Sequence, residues 1–92
     1  MDAETFAREH KEYLQNNRPD VLKGFQREGD LSRYLSSIGE QAESRMIDLH
    51  GQMNKQAGVN DLPYLQKVAA LQNHHQSALE IVRDEIILQP RD

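Results

Sequence analysis

Residues 31–86 read LSRYLSSIGEQAESRMIDLHGQMNKQAGVNDLPYLQKVAALQNHHQSALEIVRDEI. The first part places apolar residues at Leu31, Leu35, Ile38, Ala42, Met46, Leu49 and Met53, in steps of 4, 3, 4, 4, 3 and 4. The second part repeats those steps at Tyr64, Val68, Leu71, His75, Leu79, Val82 and Ile86. Rows spaced by three and four lie on one face of an α-helix. From its first member to its last, each row makes six turns. Its period is close to the pitch of a straight helix, so little left-handed supercoil is expected. Between the rows stands Gly58, a helix stop, and Pro63 falls in a first helical turn, where its missing N–H costs little. Folding back at Gly58-Val59 zips the rows together so that the numbers of each opposed pair total 117. Leu49 is then expected to touch Val68, Leu35 to touch Val82, and His75 to pack opposite the small Ala42.

Outward from the hairpin, the third helix is predicted from residue 31 to 56 or 57. The fourth is predicted from a cap at Asn60 or Asp61 to 88 or 89, with Pro90 as its stop. Asp2 caps a first helix over residues 3–16 that buries Phe6, His10, Tyr13 and Leu14. Arg18-Pro19 breaks the chain, because the residue before proline avoids helical geometry. A short second helix over 19–27 buries Val21, Leu22 and Phe25, and ends at Gly29 with Asp30 capping the next. No stretch alternates apolar and polar residues for long. The expected fold is all-α: a long antiparallel αα-hairpin (30–89) with one or two short N-terminal helices (1–29) packed on it, in a single domain over 1–92. Gly39, at the seam's edge, suits close helix approach; Gly51 falls on the far face without an evident reason.

A chain of 92 residues with 37% hydrophobic residues, 5% aromatics and no tryptophan has a thin core, which makes an enclosed catalytic cleft improbable. The absence of cysteine excludes disulfides, thiol catalysis and thiolate metal sites, and fits a reducing cytoplasm, the expected location. No apolar run is long enough for a signal peptide or a membrane span. The net charge of −4, with acids spread along the chain, argues against broad attachment to nucleic acid or anionic lipid.

His74 and His75 are adjacent, so on one helix they point about 100° apart and do not chelate together. Neither has a ligand one turn away, and His10 and His50 stand isolated, so all four read as structural and no metal or cofactor is expected. Five isolated glycines make no phosphate loop, and the helical serines lack a nucleophile turn. Glu40 and Glu43 share a face, as do Glu80 and Asp84, but a thin core offers no cleft for a carboxylate pair to work across. Glu40 and Glu43, with an apolar strip at Ile87 and Leu88, form the candidate face for a protein partner. Arg18, Lys23, Arg27 and Arg33 span a helix–turn–helix corner and are the candidate nucleic-acid or partner contacts. Asp20, Glu28 and Asp30 are interleaved with them, so duplex DNA binding is expected to be weak or absent. The fourth helix is also apolar off the seam, at Leu65, Ala69, Ala70, Ala78 and Ile81; any part left uncovered would be a partner or homodimer face.

One ordered series runs through the chain: Tyr13-Leu14, Arg18-Pro19, Gly29-Asp30-Leu31-Ser32-Arg33-Tyr34-Leu35, Gln41-Ala42-Glu43, Gln52-Met53, Gly58-Val59 and Glu80-Ile81-Val82-Arg83-Asp84-Glu85-Ile86-Ile87. In it the chain resembles the TnpV family, small proteins encoded in transposons and conjugative elements, over about residues 10–88. The resemblance implies an extra segment ahead of the matched residues, and an aromatic residue, often tryptophan, in the last helix where this chain has His74-His75 or Leu71. The resemblance implies a gene carried by a mobile element and no particular reaction. The expected function is therefore that of a noncatalytic protein-binding accessory factor. Its finer form is an inhibitor of a host nuclease such as a CRISPR effector. The alternative is a DNA-binding regulator that uses the Arg18 to Arg33 cluster.

Overall fold

The computed structural model describes residues 2–56 and 58–89. Its elements are α1 (Ala3–Asn17), α2 (Pro19–Glu28), α3 (Leu31–Gln56), a 3-10 turn (Val59–Asp61), α4 (Tyr64–Val82) and a π-helical turn (Arg83–Ile87), with no strand among the described residues. The N-terminal punctuation acts as its residues suggest. The Asp2 carboxylate accepts from the Thr5 amide at 2.9 Å, and Gly29 closes α2 at φ 76°, a left-handed conformation open to glycine. Gly58, at φ 60°, turns the chain after α3. The cap of α4 is Pro63, because Asn60 and Asp61 are taken up in the 3-10 turn. The stop assigned to Pro90 lies outside the described residues.

Phe6, Ile38, Ala42, Met46, Leu49, Ala78, Leu79, Val82 and Ile87 make one core, joining α1, α3, α4 and the π turn. α1 and α3 approach each other closely at Gly39. A Cβ there would collide with the Ala3 carbonyl oxygen and press on the Ala7 methyl at 3.3 Å. The close approach expected of Gly39 is therefore made by α1 and not by the fourth helix. At the same point the Ala3 amide, one of the unpaired N–H groups of a helix start, donates to Glu43 Oε2 at 2.7 Å.

The long helices run antiparallel, but the 117 register is not the one adopted. That rule sets residues 67, 63 and 72 opposite His50, Asn54 and Arg45. The residues found there are His75, His74 and Glu85, which lie eight, eleven and thirteen positions further along. The expected pairs Leu49–Val68, Leu35–Val82 and Ala42–His75 are displaced accordingly. The cause lies in the spacing itself: steps of 4, 3 and 4 complete an eleven-residue repeat, so sliding α4 by eleven residues lays row on row again. The slide sets Leu79 level with Leu49 and Val82 level with Met46, and all four sit in the core. α1 covers the upper part of α3 that the slide leaves open.

The fourth helix also ends differently from expectation. From Arg83 to Ile87 the turn widens, and the Leu88 amide donates to the Arg83 carbonyl, five residues back, at 2.7 Å. The product is a rod of 53 × 20 × 16 Å with a radius of gyration of 16.0 Å. A compact chain of this length has a radius of about 12 Å.

Candidate interaction surface

Two of the four cations of the basic cluster lie beside aspartates. Arg18 Nε and Nη2 donate to the two carboxylate oxygens of Asp20 at 3.2 and 3.3 Å. That guanidinium holds the Asp20 carboxyl below the usual range. Arg33 Nη1 lies 3.8 Å from Asp30, with 87% of its side chain exposed. Lys23 and Arg27 stand exposed one turn apart on α2, and neither forms an ion pair with another described residue. The inner side of the corner is packed: Leu22 is buried, and Phe25 stacks on Tyr34 with ring centres 4.1 Å apart and planes within 13°.

The acidic candidates divide. Glu40 is exposed on a ridge between two open grooves of about 450 and 360 Å³. The larger is walled by Ser37, Gln41, Ser44, Arg45, Asp48 and Ile86. Arg45 is held there by Glu85 at 3.2 and 3.5 Å. Glu43 turns away from this ridge to meet the start of α1. Of the apolar strip, Leu88 is exposed, but Ile87 is wholly buried. This corrects the expectation for Ile87: the wide π turn rotates its side chain into the core and offers its carbonyl to α1.

That carbonyl meets His10. Histidine Nδ1 lies 2.7 Å from the Ile87 oxygen, and Nε2 lies 2.7 Å from the Tyr34 hydroxyl. A carbonyl only accepts, so Nδ1 carries the proton and donates; in the neutral ring Nε2 accepts from the tyrosine. His10 is itself wholly buried. Beside it Arg83 Nε donates to Glu9 at 2.8 Å, a second tie between α1 and the π turn. His10 is thus structural but not isolated, as its sequence surroundings suggested.

At the other end of the rod, His75 Nδ1 lies 3.2 Å from His50 Nε2, and His74 Nδ1 lies 2.8 Å from Asn54 Oδ1. The hydrogen bond between the two rings holds one proton. Burial, and then the neighbouring His75, push the His50 imidazole below its ordinary value. His75 is a seam residue, but its counterpart is this histidine and not Ala42. Among the described residues, no three histidines or carboxylates gather as metal ligands, and no buried side-chain polar atom lacks a hydrogen-bond partner. No helix there is long and apolar enough to cross a membrane.

The sequence reading missed the His10–Tyr34, Glu9–Arg83 and His50–His75 pairs. The periodicity placed His10 and His75 on buried faces, but naming their partners required the register and the π turn. A family model described as "Transposon-encoded protein TnpV" matches residues 2–87, from the cap of α1 through the π turn. No curated protein and no solved structure matches the chain.

Proposed function

Because this chain belongs to the TnpV family of transposon-encoded proteins, we propose that it is a noncatalytic accessory factor of a mobile element that acts by binding another protein in the cytoplasm. One observation carries this reading: the polar side chains inside the fold are spent on the fold. His10, Glu9, Glu43, Tyr34 and Arg83 hold α1 to its neighbours, and the larger concavities are open grooves. Catalysis needs a perturbed acid, base or nucleophile poised at a cavity that holds a substrate.

The finer form of the proposal is inhibition of a host nuclease such as a CRISPR effector. Glu40 and Asp48, beside the Arg45–Glu85 pair, give the larger groove an acidic rim. Such a rim speeds encounter with a basic nucleic-acid channel. In a cleavage assay with a guide-loaded effector, excess protein lowers cleavage by about tenfold or more, and Glu40→Lys restores it. Unchanged cleavage defeats the finer form. The coarser one then depends on a captured protein partner that Glu40→Lys releases.

The alternative, a DNA-binding regulator, has Lys23 and Arg27 as its unpaired cations. Sequence-specific duplex binding at nanomolar concentration, lost on Arg33→Ala, would put that reading first.

A further inference from the structure

The slide of α4 leaves the upstream part of its seam only partly covered, against the 3-10 turn. The row that faces the core at His75, Leu79 and Val82 continues upstream through Leu71 and Val68 to Tyr64, on the same face of the helix. His75 already stands opposite His50, less than two turns before α3 ends at Gln56. α4 therefore runs on past the end of its neighbour. Tyr64 is 77% exposed, Leu65 beside it 79% and Leu71 38%.

We propose that this stretch of α4, with Tyr64, Leu65 and Leu71 exposed and Val68 half-buried between them, is a homodimer interface, covered by the same stretch of a second copy. The inference is independent of what the charged half of the rod binds.

Three observations select a second copy as occupant. The first is charge. The stretch from Met46 to Leu79, more than a third of the chain, carries only Asp48, Lys55, Asp61 and Lys67, two of each sign. All the other lysines, arginines, aspartates and glutamates lie outside it. Within the patch the one charge is Lys67, half-buried and beside the axis of such a dimer, whose long stem carries its ammonium to the rim, and depletion of charge marks the centres of protein interfaces. The second is shape. The chain exposes 6146 Å², against roughly 5,500 Å² for a compact monomer of 10.6 kDa; the excess belongs to the elongated rod as a whole, and Tyr64, Leu65 and Leu71 are its exposed large apolar side chains at this end. The third is spacing. A two-fold axis close to Val68 sets Tyr64 of one copy against Leu71 of the other, so the patch complements itself, as a closed dimer requires.

Sedimentation equilibrium of the full chain, over a concentration range reaching roughly 100 µM, tests the proposal. The expected result is a dimer with a micromolar or tighter dissociation constant that varies little with salt. Tyr64→Glu combined with Leu65→Glu weakens it by about tenfold or more. Both side chains project into solvent, so the helical circular dichroism is unchanged. Glu40→Lys, at the other end, leaves the dimer as it was. A monomer throughout the range overturns the proposal and leaves the patch to a different protein. A dimer indifferent to the double substitution, or one that dissolves in salt, overturns it as well.

Discussion

Two glycines of α3 have opposite consequences. At Gly39 a methyl group would strike the Ala3 carbonyl and disturb the Glu43 bond to the Ala3 amide. Gly39→Ala is expected to destabilise the chain by about 1–3 kcal/mol, as overpacking does, in urea denaturation followed by helical signal. At Gly51 nothing lies within 4 Å of the added atom, and the residue sits in mid-helix. Gly51→Ala is expected to stabilise by about 1 kcal/mol, raising the melting temperature by roughly 4–8 °C. The sequence showed that Gly39 borders a packed row but not which helix approaches it, since α1 carries no spacing that ties it to residue 39. His10 was legible only as a buried position. His10→Leu keeps the volume but removes the donor to the buried Ile87 carbonyl, at about 1–3 kcal/mol for that group left unsatisfied. A loss smaller than that of an ordinary surface substitution would show that water takes the place of the ring.

Helix positions and faces were legible because glycine, proline and capping residues punctuate them sharply. α2, α3 and the Asp2 cap begin where their residues indicate, and α3 ends within a residue of its predicted stop. The sliding of α3 against α4 was not legible. A row that repeats every eleven residues fixes which face is buried, while leaving two registers equally well spaced. The choice depends on α1 covering upper α3 and on the Val59–Asp61 turn lengthening the connection. The π turn has no periodic signature, so Ile87 read as surface. The adopted register brings His50 against His75, and this pair makes stability depend on pH. The folded imidazole of His50 binds its proton less readily than the unfolded one, whose ordinary value is 6.5. The unfolded chain then takes up more protons as acid is added, so this contribution is complete above about pH 6.5 and is lost below it. Melting curves between about pH 7 and pH 5 should show a decline in stability that His50→Gln flattens. A slope unchanged by that substitution would assign the decline to other groups.

Across the whole molecule, charge separates into two halves. The end built from α1, α2, upper α3 and the π turn carries most of the charge, of both signs, and the far end is nearly bare of it. With Arg18 and Arg33 each beside an aspartate, the intact chain should bind duplex DNA no more tightly than about 10⁻⁴ to 10⁻⁶ M at physiological salt. A gel shift over a salt series, on element-derived and unrelated duplexes, measures this; a preference for one sequence would count against the charge argument. The tie between α1 and the π turn also sets an order in time. His10 is made early, but the carbonyl it needs belongs to Ile87, 77 residues later. At about 5–20 residues per second, synthesis separates the two by roughly 4–15 s. During that interval α1, with Phe6 and His10 on its inner face, has only α2 and a growing α3 to lean on. The newborn chain thus passes seconds as an incomplete helical assembly with an apolar stripe showing, and a stalled or truncated product lacking residues 83–87 would be left in that condition.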